Sequence, residues 1–145
     1  MQNSTIALEK ILYTASATAI GGRNGRVKTD DGSLELATVP PKSLGGPGGP
    51  GTNPEQLFAA GYAACFGNAL ELVARKQRVQ TGPVAITAKV NLGPAGRGYG
   101  LSVELACDLP ELDRDLALAL VRAAHEVCPY SNATRGNIPV DVRLA

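Results

Sequence analysis

Tryptophan is absent from the 145-residue sequence, methionine and histidine occur once each, and the remaining aromatic rings are four Tyr and two Phe. Nor is there a basic patch for those rings to interleave with: 14 Lys and Arg stand against 13 Asp and Glu, scattered along the chain, for a net charge of +1. The electrostatic footprint of a nucleic-acid-binding protein is missing, so no nucleic-acid partner is expected. No stretch approaches the roughly 18 apolar residues of a membrane-spanning helix, and "MQNSTIALEK" at the start lacks the basic residues, apolar core and cleavage site of an export signal. A soluble, cytoplasmic protein without membrane insertion is the expectation. Its three cysteines are too few and too widely spaced for a disulfide-stapled scaffold, so the thiols should be reduced and any disulfide transient.

A chain of 145 residues can bury a substantial core, and the even spread of apolar residues predicts a single domain, residues 1–145. "KILYTASATAI" (10–20) reads as a strand ending at "GGRNG", where Asn24-Gly25 predicts a hairpin turn with Arg23 and Arg26 on or beside it. "DDGS" (30–33) marks a second turn before the strand "LELATV". "PPKSLGGPGGPGTNP" (40–54) follows, a Gly/Pro-rich loop whose composition excludes a regular element. The clearest helix spans 53–77, with Asn53 as cap, Pro54 at the first helical position and Gln56 able to reach back. Its apolar residues occupy more than one stripe, which predicts burial nearly all round over the first three turns, and its small residues permit close approach by another element.

"VAITAKVNL" (84–92) and "YGLSVELACDL" (99–109) alternate with period two and predict an antiparallel pair, with Leu101, Val103, Leu105 and Cys107 facing inward. Helical spacing over 108–127 places Leu112, Leu116, Leu120, Ala123 and Val127 on one stripe, and "IPVDVRL" returns to strand alternation. The order predicts an α+β fold, antiparallel strands packed on two main helices.

The three thiols read differently. Cys107 lies in register with core positions and reads as a small buried hydrophobe. Cys65 sits midway down the apolar helix, where the helix N-terminus gives no useful field and burial raises a thiol's pKa; for Cys65 to attack anything, a cation must come to it. Arg23, Arg26 and Arg135 are the candidates. Cys128 precedes Pro129 at a helix end, a poor place for a first nucleophile but a suitable one for a thiol that attacks an oxidised partner. His125 reads as a partly buried histidine whose place near a helix C-terminus favours its charged form. A Cys/His hydrolase or half of a metal site are alternative roles, the second lacking further ligands at suitable spacing.

"TASATAIGGRNGRV", "LGGPGGPGTNPEQLFAAGYAACFGNALE" and "AHEVCPYSNATRGN", in this order and over nearly the whole chain, resemble the organic hydroperoxide resistance (Ohr) branch of the Ohr/OsmC family. The resemblance implies a thiol peroxidase that reduces organic, especially fatty-acid-derived, hydroperoxides to alcohols. It further implies an intertwined homodimer, no tightly bound cofactor or metal, and dihydrolipoamide or a lipoylated protein as reductant. By the same resemblance Cys65 in "AACF" matches the peroxidatic cysteine and Cys128 in "VCPYS" the resolving one. Arg23 in "GGRNG" matches the family's arginine and Glu55 in "NPEQ" its glutamate. Ten residues of continuous helix separate Glu55 from Cys65 by about 15 Å along the axis, so a kink, a loop return or a second subunit must bring Glu55 to the thiol. Leu44, Leu57, Phe58 and Phe66 are candidates to receive an alkyl chain. A noncatalytic hydrophobic-ligand or redox-sensing protein is the alternative from another class, and a general thiol-disulfide oxidoreductase is weakened by the lack of C-x-x-C.

Overall fold

The computed structural model describes residues 5–145, so Met1–Ser4 at the head of the segment read for an export signal lie outside the described residues. The chain divides into one unit ending at Asn53 and a second, Pro54–Ala145.

The first unit is a meander of β1 (Ala17–Ile20), β2 (Gly25–Thr29) and β3 (Glu35–Thr38), antiparallel and in that order. The strand expected from Lys10 is shorter, since pairing begins only at Ala17, opposite Thr29. The turn carrying Arg23 also differs from expectation. Gly21 and Gly22, not Asn24 and Gly25, take the positive φ angles, +79° and +57°, which glycine adopts without a Cβ penalty. Gly25 is required for space instead: a Cβ there would lie 1.8 Å from the Ile20 carbonyl oxygen. Buried Thr38 braces the turn from β3, its hydroxyl donating to the Gly22 carbonyl and accepting from the Gly25 N–H, both at 2.8 Å. The "DDGS" turn is held by the Asp31 carboxylate, which accepts from the Ser33 N–H and the Thr29 hydroxyl, each at 2.9 Å. The loop that follows does contain one regular piece, a 3-10 turn at Lys42–Leu44.

The second unit contains α1 (Pro54–Lys76), β4 (Ala85–Ala95), β5 (Gly98–Asp108), α2 (Arg114–Val127), α3 (Pro129–Thr134) and β6 (Val140–Leu144). β4 and β5 form the expected antiparallel hairpin, closed between Ala95 and Gly98. β6 departs from a wholly antiparallel sheet: it pairs parallel with β5, Val103 opposite Val140. The two helices between β5 and β6 explain this, because a helical crossover returns the chain to the end from which the previous strand started. The α+β class stands, with helices on a three-stranded sheet ordered β4-β5-β6.

The core lies between that sheet and the helices. Val103, Leu105 and Cys107 of β5 are buried with Tyr62, Phe66, Leu70 and Val73 of α1 and Leu120, Val121 and Ala124 of α2. α1 is long and apolar enough by length and composition to cross a membrane, contrary to the reading that no stretch approached this; its buried face belongs to this core. Nor is α1 buried all round: Ala60, Ala64, Asn68 and Leu72 are exposed. Its small residues pack less side-chain bulk around the helix than a Leu-rich surface, so one face fills the core and the other stays open. The α2 stripe is likewise rotated from that expected, running through Ala117, Leu120, Val121 and Ala124, with Val127 exposed. α2 also starts later than read, at Arg114, where the Asp113 carboxylate accepts from the Leu116 N–H at 3.2 Å and caps the helix.

Candidate active site

Cys65 sits near the middle of α1, and Cys128 occupies the corner where α2 ends and α3 begins. Pro129 ends α2 because it disfavours helical dihedrals at Cys128, yet it fits the first position of the next helix. Cys128 is therefore the C-cap of α2 and the N-cap of α3, with φ −64° and ψ 123°. The argument from a single negative helix pole loses its force, since a second helix starts at the same residue. The two sulfurs lie 3.7 Å apart. A disulfide needs about 2.0 Å, so a local movement of under 2 Å would close the bond. Cys128 is fully buried and Cys65 partly exposed, leaving Cys65 as the more accessible of the pair.

Burial pushes the Cys65 thiol up, the neighbouring Cys128 adds to this, and the Tyr130 backbone N–H acts the other way. Cys107 is also driven by burial, to about 11. It lies 1% exposed in the core, as expected for a thiol without chemistry.

Glu55 is the acidic residue of the first turn of α1, where a carboxylate complements the helix dipole. α1 runs unbroken from Pro54 to Lys76, so no kink shortens the separation of about 15 Å along the axis between Glu55 and Cys65. Arg23 lies half-buried in the β1–β2 turn of the first unit. Arg26 instead pairs with Glu35 across the strands at 3.3 Å, both exposed. Arg135 caps the short helix corner, donating to the His125 carbonyl and, at 2.6 Å, to Asn132 Oδ1. His125 departs from expectation: burial, then the Arg135 charge, push its pKa down, outweighing Glu126 and favouring the neutral ring over the charged one. Among the described residues no group of three His, Cys, Asp or Glu side chains could hold a metal ion.

Residues 46–143 match the family model described as OsmC-like protein. The organic hydroperoxide resistance protein of Xanthomonas axonopodis pv. citri is 52% identical over 138 residues, covering 94% of this chain and 97% of that one. Organic hydroperoxide resistance protein OhrB of Bacillus subtilis is 49% identical, covering 92% and 98% of the two chains. The chain belongs to the Ohr/OsmC family. Its fold agrees with that of an organic hydroperoxide resistance protein structure from Legionella pneumophila, at a TM-score of 0.90 and 50% identity, covering 94% of this chain and 99% of that one.

Around the two thiols of this Ohr/OsmC chain lie Tyr62 and Tyr130, to which the sequence reading gave no part. Phe58, Tyr62 and Tyr130 form an aromatic cluster with ring centroids 5.6 to 6.3 Å apart, which seats α3 on α1. Gly61 permits it: a Cβ there would stand 2.7 Å from the Tyr130 hydroxyl oxygen. Pro54, Leu57, Phe58, Tyr130, Ala133 and Thr134 line a groove of about 450 Å³ beside this cluster. Of the residues expected to receive an alkyl chain, Leu57 and Phe58 line it, whereas Phe66 is fully buried in the core. The signal for Tyr62 was available, since a tyrosine among small apolar residues must find a partner for its hydroxyl when buried.

Proposed function

We propose that the chain is a thiol peroxidase that reduces organic hydroperoxides, probed best with fatty-acid-derived ones, with Cys65 as attacking and Cys128 as resolving thiol. The observation that carries this reading is the 3.7 Å separation of a partly exposed and a fully buried sulfur. The Cys65 thiolate attacks the terminal oxygen of ROOH. The O–O bond breaks, the alkoxide takes a proton to leave as ROH, and Cys65 becomes a sulfenic acid. The Cys128 sulfur then attacks the Cys65 sulfur; the S–O bond breaks, and the departing hydroxide leaves as water with the Cys128 proton. A dithiol reductant returns both thiols by two successive exchanges and is itself oxidised to its disulfide.

Burial raises the Cys65 pKa, so ionisation at the pH of the cytoplasm needs a fixed cation. In this reading Arg23 supplies it and stabilises the departing oxygen, while Glu55 orients the guanidinium. The unbroken α1 makes a direct Glu55–Cys65 contact impossible within one helix, which favours a homodimer as the working unit. The groove beside Tyr130 suits an alkyl chain. The remaining parts of the proposal are a single Ohr/OsmC-like domain over residues 1–145, a cytoplasmic location and a dihydrolipoyl group as the dithiol.

Rapid mixing of the reduced protein with a fatty-acid hydroperoxide tests the reading. Fast consumption is expected, abolished in Cys65→Ser and limited to one turnover in Cys128→Ser, with dihydrolipoamide supporting turnover better than glutathione. Absence of consumption by the fully reduced protein would overturn it in favour of a ligand-binding or redox-sensing role.

A further inference from the structure

Four buried or half-buried polar side chains meet beside the thiol pair, and none belongs to the reaction just described. His125 Nδ1 lies 2.8 Å from Ser131 Oγ, and Ser131 Oγ lies 2.8 Å from the Tyr62 hydroxyl. The Tyr62 hydroxyl is also 3.2 Å from Thr134 Oγ1, which in turn donates to the Ser131 carbonyl at 3.2 Å. Tyr62 and Ser131 are completely buried and Thr134 is 5% exposed.

Each hydroxyl has one hydrogen to donate and can also accept, so the cluster links up in either direction: from His125 Nδ1–H through Ser131 and Tyr62 to Thr134, or from Thr134 through Tyr62 and Ser131 to an unprotonated His125 Nδ1. In both directions Ser131 Oγ bonds Tyr62 and His125 at once.

The position of this chain in the fold gives it a task. Tyr62 stands three residues before Cys65 on α1, and Ser131 stands three residues after Cys128 on α3. Residues three apart on a helix are neighbours on its surface. The 2.8 Å bond between Tyr62 and Ser131 thus joins the two helices one turn away from the sulfurs. His125, on the last turn of α2, ties the other arm of the Cys128 corner to the same Ser131 hydroxyl. All three helices that fix the Cys65–Cys128 separation meet at one hydroxyl.

We propose that Ser131, with Tyr62 and His125, is a positioning residue for disulfide formation, holding the Cys128 corner at near-contact distance from Cys65. This rests on the pairing of the two cysteines adopted above, and it assigns no part to the chain in the attack on hydroperoxide. Preorganised reactants react and bond intramolecularly at a high effective concentration, which falls when the framework holding them loosens.

Two measurements test it without depending on peroxidase activity. His125 is the only histidine, so the ¹⁵N spectrum of histidine-labelled reduced protein at neutral pH reports its ring without assignment; one dominant tautomer whose signals shift in Ser131→Ala is expected, and a spectrum unchanged in Ser131→Ala would overturn the proposal. The second is the dithiol–disulfide equilibrium of Cys65 and Cys128 in glutathione redox buffers, in a Cys107→Ser background. Ser131→Ala should lower the equilibrium constant for the disulfide about tenfold, equivalent to about 30 mV. Tyr62→Phe keeps the ring and removes the same bond from the other side, so it carries the test should Ser131→Ala not fold. An unchanged or raised constant in the folded variants would overturn the positioning role. Should the wild type consume no hydroperoxide, the peroxidase reading fails while these equilibria still decide the inference.

Discussion

The two units of this chain are built on opposite plans. Every buried apolar residue among those described lies in the second unit, whereas Ile6, Leu8, Ile11, Leu12, Tyr13 and Ile20 of the first are each at least 74% exposed. What little the first unit buries among the described residues is polar, Thr38, Thr52 and Asn53, and Thr38 and Thr52 serve the backbone around its turn and loop. The thiols thus sit on a packed frame, and the arginine proposed to activate them sits on a meander with no apolar interior. A three-stranded sheet of such short strands is marginal alone and needs an apolar surface to cover it. In the proposed homodimer the partner subunit is the natural source of that surface, and six exposed apolar side chains are then an interface and not a liability.

The sharpest way to break this contrast is at the chemistry. Cys65→Ser should reduce hydroperoxide consumption to the uncatalysed background, while Cys107→Ser leaves it intact, as measured by single-turnover kinetics. Arg23→Ala should lower the second-order rate constant by roughly 10²–10³, on the scale of a lost transition-state donor; a rate near wild type would separate the first unit from the reaction. Next in size, Leu120→Ala, a fully buried α2 residue, should cost about 2–5 kcal/mol in denaturant unfolding. A similar cost for Arg26→Ala would deny the difference between the units, since its exposed pair with Glu35 is worth only about 0–1 kcal/mol.

The smallest effect concerns pH. Burial and Arg135 hold the folded-state pKa of His125 below its ordinary 6.5, against the opposing pull of Glu126. The unfolded chain therefore binds this proton more readily than the folded one. The associated stability is present above pH 6.5 and is lost as pH falls from 6.5 through the depressed value. Thermal melts across that window should show a shallower loss in His125→Asn, which does not titrate.

Where local rules suffice, the sequence was readable. Asn53-Pro54 and the apolar run after it marked α1 almost to the residue, and alternation marked β4 and β5 with Val103, Leu105 and Cys107 facing inward. The pairing of Cys65 with Cys128 was not readable in that way. Its 63-residue separation is bridged by helix packing, and only the resemblance to a family supplied it. The parallel placement of β6 was hidden for a related reason: a strand's partner depends on the route of the chain between, and α3 on that route is only six residues long. The Ser131 cluster escaped because each of its members is an ordinary residue in its own segment. Only burial, which the sequence does not state, forces Tyr62, Ser131 and Thr134 to satisfy one another.

Cys107 gives the molecule an internal clock. Its sulfur is walled in by the core, its pKa is pushed to about 11, and its carbonyl is tied to the Ala145 N–H at 2.8 Å. An alkylating reagent can reach it only when the packed unit opens, so with Cys65 and Cys128 replaced by Ser the rate at which Cys107 becomes labelled measures how often that unit comes apart.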